Sequence, residues 1–415
     1  MNDFEKYKII KEQYDIEYNG YKLNRILALV LWSFANDHMR FRYRAIAKLF
    51  LSYNFNNLFY NSSAHQILST FGTYNRKDHL ETYENVLSML GPFVSKNILI
   101  NPKLRFCFSI RSFLFSFKNW KSRVWQLNNY TKKSKIALLI ETVFWCNNIN
   151  SLSRKDFVGV NKYLSFCDAL DLENLLTQHF KRLGVPTYSM THGCHHISHK
   201  SPEPGMIDYE NLETDNLLMW GKYSINEYVS WGIDTKKLLL AGYPKSNKLV
   251  NYRKKEETKR CIVFLSQHYF FNQNMQLLNI ISKFTDKFEF TIKPHPAAVE
   301  YYFKFINENG MKMIPSNETI ENCLTQEKYD WAIAVNTNAY YEALMRGVIC
   351  LRYNDGSFDL MPGCDDVFEN PDQFEMKIIE RFGLSQEEYQ KEINDVLEYT
   401  MGVGINNYRK IIVGS

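Results

Sequence analysis

Apolar residues in this chain come in short unbroken runs separated by polar segments with helical spacing, and the pattern is clearest from position 260 to 351. Cys261-Ile262-Val263-Phe264-Leu265 predicts a strand buried on both faces, ending at Ser266-Gln267. A second strand runs into Lys293-Pro294-His295-Pro296. A third, Trp331 to Val335, runs into Asn336-Thr337-Asn338 and a helix from Ala339 to Arg346. Strand and helix alternating in this way predict an α/β domain with a parallel sheet.

Upstream the same grammar recurs. Asp171 to Leu183 has near-helical spacing with Gly184 as its C-cap, and Val185 to Met190 is a strand running into Thr191-His192-Gly193. Leu217 to Trp220 and Leu238 to Leu240 flank a helix, Ser224 to Trp231, closed by Gly232, and Gly242-Tyr243-Pro244 follows as a turn. The first 150 residues read mostly as helix. The apolar run Ile136 to Trp145 is expected to be a buried strand, and Phe157 to Val160 and Tyr163 to Phe166 two short ones. The charged stretch Asn251 to Arg260 reads as a linker. The expected domains are therefore 1–250 on the acceptor side, 260–385 on the nucleotide side, and a helical tail, 386–415, folding back on the first.

A length of 415 residues exceeds one ordinary core, which agrees with two domains. The net charge of +5 is too small to argue for nucleic acid. Eight cysteines are scattered without a C-x-x-C pair, which suits a reducing compartment and gives no zinc signature. The polar opening segment carries no signal-peptide pattern, and Ile26 to Phe34 is too short to span a bilayer. The expectation is a cytoplasmic protein that reaches a membrane only from its inner face. Between Lys96 and Leu139 lie ten Lys or Arg and no Asp or Glu, interleaved with Phe106, Phe108, Phe113, Phe115, Phe117, Trp120 and Trp125. Rings at the headgroup level with cations on lipid phosphates would make residues 96–139 a peripheral membrane contact. Aromatics in the core beneath a solvated basic face would give the same composition.

Chemistry concentrates at the predicted strand ends. A helix start after Asn336-Thr337-Asn338 and a proline-locked His295 make two half-sites for a phosphate-bearing ligand on the carboxyl side of one sheet. Ser266, Gln267 and Lys293 end neighbouring strands, and Glu342 lies one turn into the helix, within reach of a ribose. His192 ends a strand of the other half. Imidazoles titrate near neutrality, so it suits removal of a proton from an acceptor hydroxyl. Asp168 or Glu203 would be the carboxylate alternative, and His195, His196 and His199 are candidate acceptor contacts. The four histidines between 192 and 199 invite a metal reading, but no Cys or carboxylate stands at a recognised ligand spacing, so no metal and no cofactor are expected.

In order, Thr191-His192-Gly193, Trp220-Gly221, Gly242-Tyr243-Pro244, Lys293-Pro294-His295-Pro296 and Asn336-Thr337-Asn338 with Tyr341-Glu342-Ala343-Leu344 resemble the GT-B glycosyltransferases of bacterial surface polysaccharides. That group includes bacterial sialyltransferases, capsule Kdo transferases and teichoic-acid glycerophosphotransferases. The resemblance spans roughly residues 155–370. It implies two Rossmann-like domains facing a cleft, with helical N-terminal additions. It also implies that His295 and the Asn336-Thr337-Asn338 turn hold the donor phosphate, and that His192 matches the histidine of the teichoic-acid enzymes. The chain departs from the sialyltransferases in lacking an intact acidic base motif before a glycine, and from the Ser/Thr pair in having one Thr between two Asn. The implied activity is transfer of a sugar, CMP-linked sialic acid or Kdo-like or else UDP-linked, to a capsule or lipopolysaccharide hydroxyl. The alternatives are a CDP-polyol phosphotransferase, a non-catalytic scaffold of polysaccharide assembly, and a sugar-nucleotide epimerase on the related fold.

Overall fold

The computed structural model describes residues 2–59, 66–72, 76–197, 204–245, 258–267, 270–295, 299–315, 318–325 and 328–414. Two six-stranded sheets, parallel throughout, organise them. The first contains β1 (Ile67–Phe71), β2 (Val94–Ile98), β3 (Lys162–Ser165), β4 (Thr187–Met190), β5 (Asn216–Met219) and β6 (Leu238–Leu240), in the order β6-β5-β4-β3-β1-β2. The second contains β7 (Arg260–Phe264), β8 (Glu289–Lys293), β9 (Lys312–Met313), β10 (Trp331–Ala334), β11 (Ile349–Tyr353) and β12 (Val367–Phe368), in the order β9-β8-β7-β10-β11-β12. The order of this second sheet reverses between β7 and β10, the position where doubly wound sheets open a ligand crevice beyond their carboxyl ends.

Every residue of β1, β10 and β11 is buried, as expected of parallel strands covered by helices on both faces. One face of the first sheet packs under the N-terminal helical additions, where Phe4, Tyr7, Leu31 and Phe144 share a core with Tyr163 and Leu175. The other face packs against the helix Lys77–Leu90 and the terminal helix Tyr408–Ile412. The tail thus returns to the first sheet after the helices Pro371–Gly383 and Gln386–Met401. Tyr408 Oη donates to the carbonyl of Gly242 at 3.0 Å, and Asn407 to that of Leu240 at 3.0 Å. At Gly402, with φ 66°, a β-carbon would sit 1.9 Å from the Trp220 carbonyl oxygen, so only glycine lets the tail turn there.

Several sequence expectations change. Ile136 to Trp145 is not a strand but the middle of a 21-residue helix, Lys132–Leu152, buried nearly all round and capped by Thr131, whose hydroxyl accepts from Ser134 N at 3.1 Å. A continuous apolar run reads alike for a buried strand and a buried helix. Phe157 to Val160 is a turn closed by Val160 N on the Phe157 carbonyl at 3.2 Å, whereas Tyr163 does lie in a strand. The first 150 residues also supply β1 and β2. Most of the predicted linker lies outside the described residues, and Arg260 already opens β7. Among the described residues no helix is long and apolar enough to cross a membrane.

Candidate functional site

The reversal point of the second sheet is held by side chains at the strand ends. Ser266, buried, donates from Oγ to the Asn336 carbonyl at 3.2 Å, and its N–H donates to Asn274 Oδ1 at 3.1 Å. Asn336 has φ 36°, a left-handed conformation that Asn tolerates better than most residues. Thr337 Oγ1 accepts from Ala339 N at 3.3 Å. Asn338 occupies the cap position of the helix Ala339–Met345 without making a cap bond, and its Oδ1 is buried without a partner. Gln267 is exposed and His295 half-buried beyond β8; Pro296 lies outside the described residues.

Two further predicted donor-side residues, Lys293 and Glu342, are drawn into the protein. Lys293 is buried, and its pKa is lowered by that burial against the opposing influence of its neighbours Cys323 and Glu318. Glu342 is half-buried with its pKa raised by burial, and the cations facing it are Lys245 and Arg346. It therefore looks toward the first domain.

On the opposing edge, His192 follows β4 and is 34% exposed at its side chain. Its Nε2 lies 3.9 Å from Asp208 Oδ2. The other oxygen of Asp208 accepts from Cys167 Sγ at 3.6 Å, which fixes the carboxylate's orientation. Burial raises the Asp208 pKa, and His192 opposes that shift. Cys167, His192 and Asp208 bring ligand-type atoms within 4.8 Å of one another. Burial pushes the Cys167 pKa well up, so the thiol serves as a donor to Asp208. Sequence reading missed Asp208 because the one-turn helix Ile207–Glu210 carries no periodic signal.

The neighbouring histidines turn out to have structural partners. His195 is buried, with Nδ1 3.0 Å from Tyr228 Oη and its ring against Tyr209, and burial drives its pKa well down. His196 has both ring nitrogens engaged, Nδ1 with Tyr223 Oη and Nε2 with the Asp359 carbonyl at 3.0 Å. His196 therefore has no ring nitrogen left for an acceptor, which corrects that expectation, while His195 keeps Nε2 buried and unpartnered beside the His192 ring. His199 and Glu203 lie outside the described residues. Asp168 is also structural: it is buried and its Oδ2 accepts from the N–H groups of Glu213 and Thr214 at 2.7 and 2.5 Å. Burial pushes its pKa up to about 6.

The two edges meet. A β-carbon on Gly193 would come within 3.0 Å of Asn338 Nδ2, and His196 reaches the loop carrying Asp359. Beside Asn336 and Thr337 a small cleft is walled by Tyr340, Tyr341, Arg352 and Met361. Arg352, buried, pairs with Asp366 at 2.6 Å, donates to the Cys364 carbonyl at 2.8 Å and lies over the Tyr340 ring at 4.7 Å.

Two such sheets with apposed carboxyl edges form a GT-B-like fold. Among solved structures, HepE of Anabaena in complex with UDP and glucose matches with a TM-score of 0.50 and 9% identity, over 85% of this chain and 100% of that one. The UDP-GlcNAc 2-epimerase of Neisseria meningitidis bound to UDP-GlcNAc matches at 0.46 and 14% identity, over 84% of this chain and 98% of its own. The wall teichoic acid polymerase TagF matches at 0.45 and 10%, over 94% and 95%. No family model and no curated protein matches the chain.

Proposed function

We propose that this chain is a glycosyltransferase that moves a sugar from a nucleotide-activated donor to a hydroxyl of a bacterial surface glycan of the capsule or lipopolysaccharide kind. The observation that carries the reading is the apposition of His192-Gly193, on one carboxyl edge, to Asn338, on the other. In this reading His192 takes the acceptor proton while Asp208 orients the ring and balances the imidazolium that forms. Ser266, His295 and the Asn336-Thr337-Asn338 turn hold the leaving phosphate, where donors aimed at developing negative charge lower the barrier. CMP-linked sialic acid or a Kdo-like sugar remains the favoured donor, with UDP-sugars beside it because HepE holds UDP in the same fold. A histidine rather than a carboxylate base suits equally a polyol phosphate transferred from a CDP-linked donor, and phosphorus in the product would identify that reaction.

The test is a thermal-shift series with CMP, CDP, UDP, GDP and dTDP on the wild type and His295→Ala, followed by transfer assays with the donor of whichever nucleotide binds. A ligand at a hundred times its Kd stabilises the native state by about 2.7 kcal/mol. One nucleotide should raise Tm, and His295→Ala should abolish the rise. No shift with any nucleotide, together with glycan synthesis that survives His192→Ala, would leave a scaffold protein in place of an enzyme.

A further inference from the structure

Outside the site, the first domain has a face that combines exposed apolar side chains with exposed cations. The helix Ile110–Arg123 buries Ser112, Ser116 and Trp120 against the helix Lys132–Leu152, with Ser116 Oγ 3.5 Å from Cys146 Sγ and Trp120 Nε1 donating to the Lys135 carbonyl at 2.6 Å. Its outward stripe is Ile110, Leu114 and Phe117, with Ile110 at 65% and Leu114 at 59% exposure. Phe113 and Phe115 pack inward with Trp120, so this outward stripe is apolar surface in excess of what the core takes up.

The stripe continues onto a neighbouring segment. Strands Leu51–Tyr53 and Leu104–Phe106 pair antiparallel, and the rings of Phe50 and Phe108 meet at 5.3 Å. Phe106 is 77% exposed and Tyr43 82%. Exposed cations stand next to these residues along the same segments: Arg42, Arg44, Lys103, Arg111, Lys118 and Lys121. Residues 38–77 and 85–140 contain no Asp or Glu at all. The face adjoins the carboxyl edge of the first sheet. Lys48 pairs with Glu141 at 2.5 Å, and both charges act on Asp171, the first residue of the helix that leaves β3.

We propose that this face docks on an anionic phospholipid surface. The aliphatic and aromatic side chains enter the headgroup boundary, and the arginines and lysines sit on lipid phosphates. A two-fold contact between copies would press one cationic patch against another, and exposed Ile and Leu contribute nothing to a nucleic-acid groove. The proposal rests on the glycosyltransferase reading for its purpose, which is to hold the acceptor half beside a membrane-borne glycan. The binding itself needs neither donor nor acceptor, so failure of one reading leaves the other standing.

The experiment is flotation of the purified full chain with phosphatidylcholine vesicles, with and without phosphatidylglycerol. The wild type should partition onto the anionic vesicles and be released by salt. Replacing Arg111, Lys118 and Lys121 by Gln should weaken partition about a hundred-fold, at roughly five-fold per cation. Replacing Ile110, Leu114 and Phe117 by Ser should also release the protein while its Tm and nucleotide response stay those of the wild type. Equal partition of wild type and both variants, partition onto neutral vesicles alone, or a solution dimer that the serine variant splits would overturn the proposal.

Discussion

Gly193 and Asn338 lie so close across the two domains that a β-carbon on the glycine would stand 3.0 Å from the asparagine amide nitrogen. The Asn338 amide also has a buried oxygen without a partner, so its position is set by the surrounding packing, including the bare backbone at 193. Gly193→Ala should push that amide aside by a few tenths of an ångström, and Gly193→Val further. Misplacement by about 1 Å can cost a hundred-fold in rate. We expect kcat/KM to fall about ten-fold for the alanine and about a hundred-fold for the valine, with Tm little changed. Steady-state kinetics beside a melting curve checks this, and full activity in Gly193→Val would remove the apposition from the site.

His192 and Asp208 should separate by rescue. His192→Ala removes the proposed base and should lower kcat by about 10² to 10⁴, with nucleotide binding intact and part of the rate restored by added imidazole. Asp208→Asn keeps the shape and loses only the charge, so a smaller loss without imidazole rescue is expected. Because burial raises the Asp208 pKa, its carboxylate protonates at a higher pH than a surface aspartate. The rate advantage of wild type over Asp208→Asn should therefore shrink as the pH falls, because the wild-type carboxylate is then neutral too.

Arg352 and Asp366 form the buried wall behind the Asn336-Thr337 turn. Asp366 also accepts from Tyr340 Oη at 2.5 Å, and its pKa stands near 6 because burial outweighs the pull of Arg352. Removing one partner of such a pair strands the other charge and costs about 3–5 kcal/mol. Arg352→Met should lose that much in urea unfolding, and adding Asp366→Asn should recover part of it. Additive losses would mean that the two side chains are not coupled.

Much of this architecture could be read from local pattern. Thr191-His192-Gly193, Ser266 and Asn336 all stand at strand ends because each follows a short apolar run that a parallel sheet buries on both faces. The strands β1 and β2 escaped notice because Ser69, Thr70 and Asn97 interrupt their apolar runs. The fold satisfies these with Tyr83, Tyr163 and Glu173, partners remote in sequence. The same distance hid the fates of His195 and His196, whose ring partners Tyr228 and Asp359 no local spacing could indicate. Asp208 escaped for the same reason: its relation to His192 exists only once β4 and the one-turn helix are folded together.

His79 offers a pH test of burial at the His192 edge, acting in the same sense as the buried His179 and His195. It is buried beside Phe166 and the His192 ring, with Nδ1 unpartnered and Nε2 4.0 Å from Asp78. Burial, then His192, Arg76 and Lys245, push its pKa down to about 3, against the opposing pull of Asp78. The native state therefore binds fewer protons here than the unfolded chain does between about pH 6.5 and 3. Stability from the neutral ring is complete above pH 6.5 and is lost as pH falls, by about 2 kcal/mol on going from pH 7 to 5. Asp168 and Asp366, with pKa values pushed up to about 6, act in the opposite sense and stabilise as pH falls toward 4. The whole-protein profile mixes these effects, but the difference between wild type and His79→Gln isolates one of them. Urea midpoints at pH 7 and pH 5 should show the variant losing about 2 kcal/mol less than the wild type over that interval. A difference independent of pH would mean that the imidazole at 79 takes up its proton alike in the native and unfolded states.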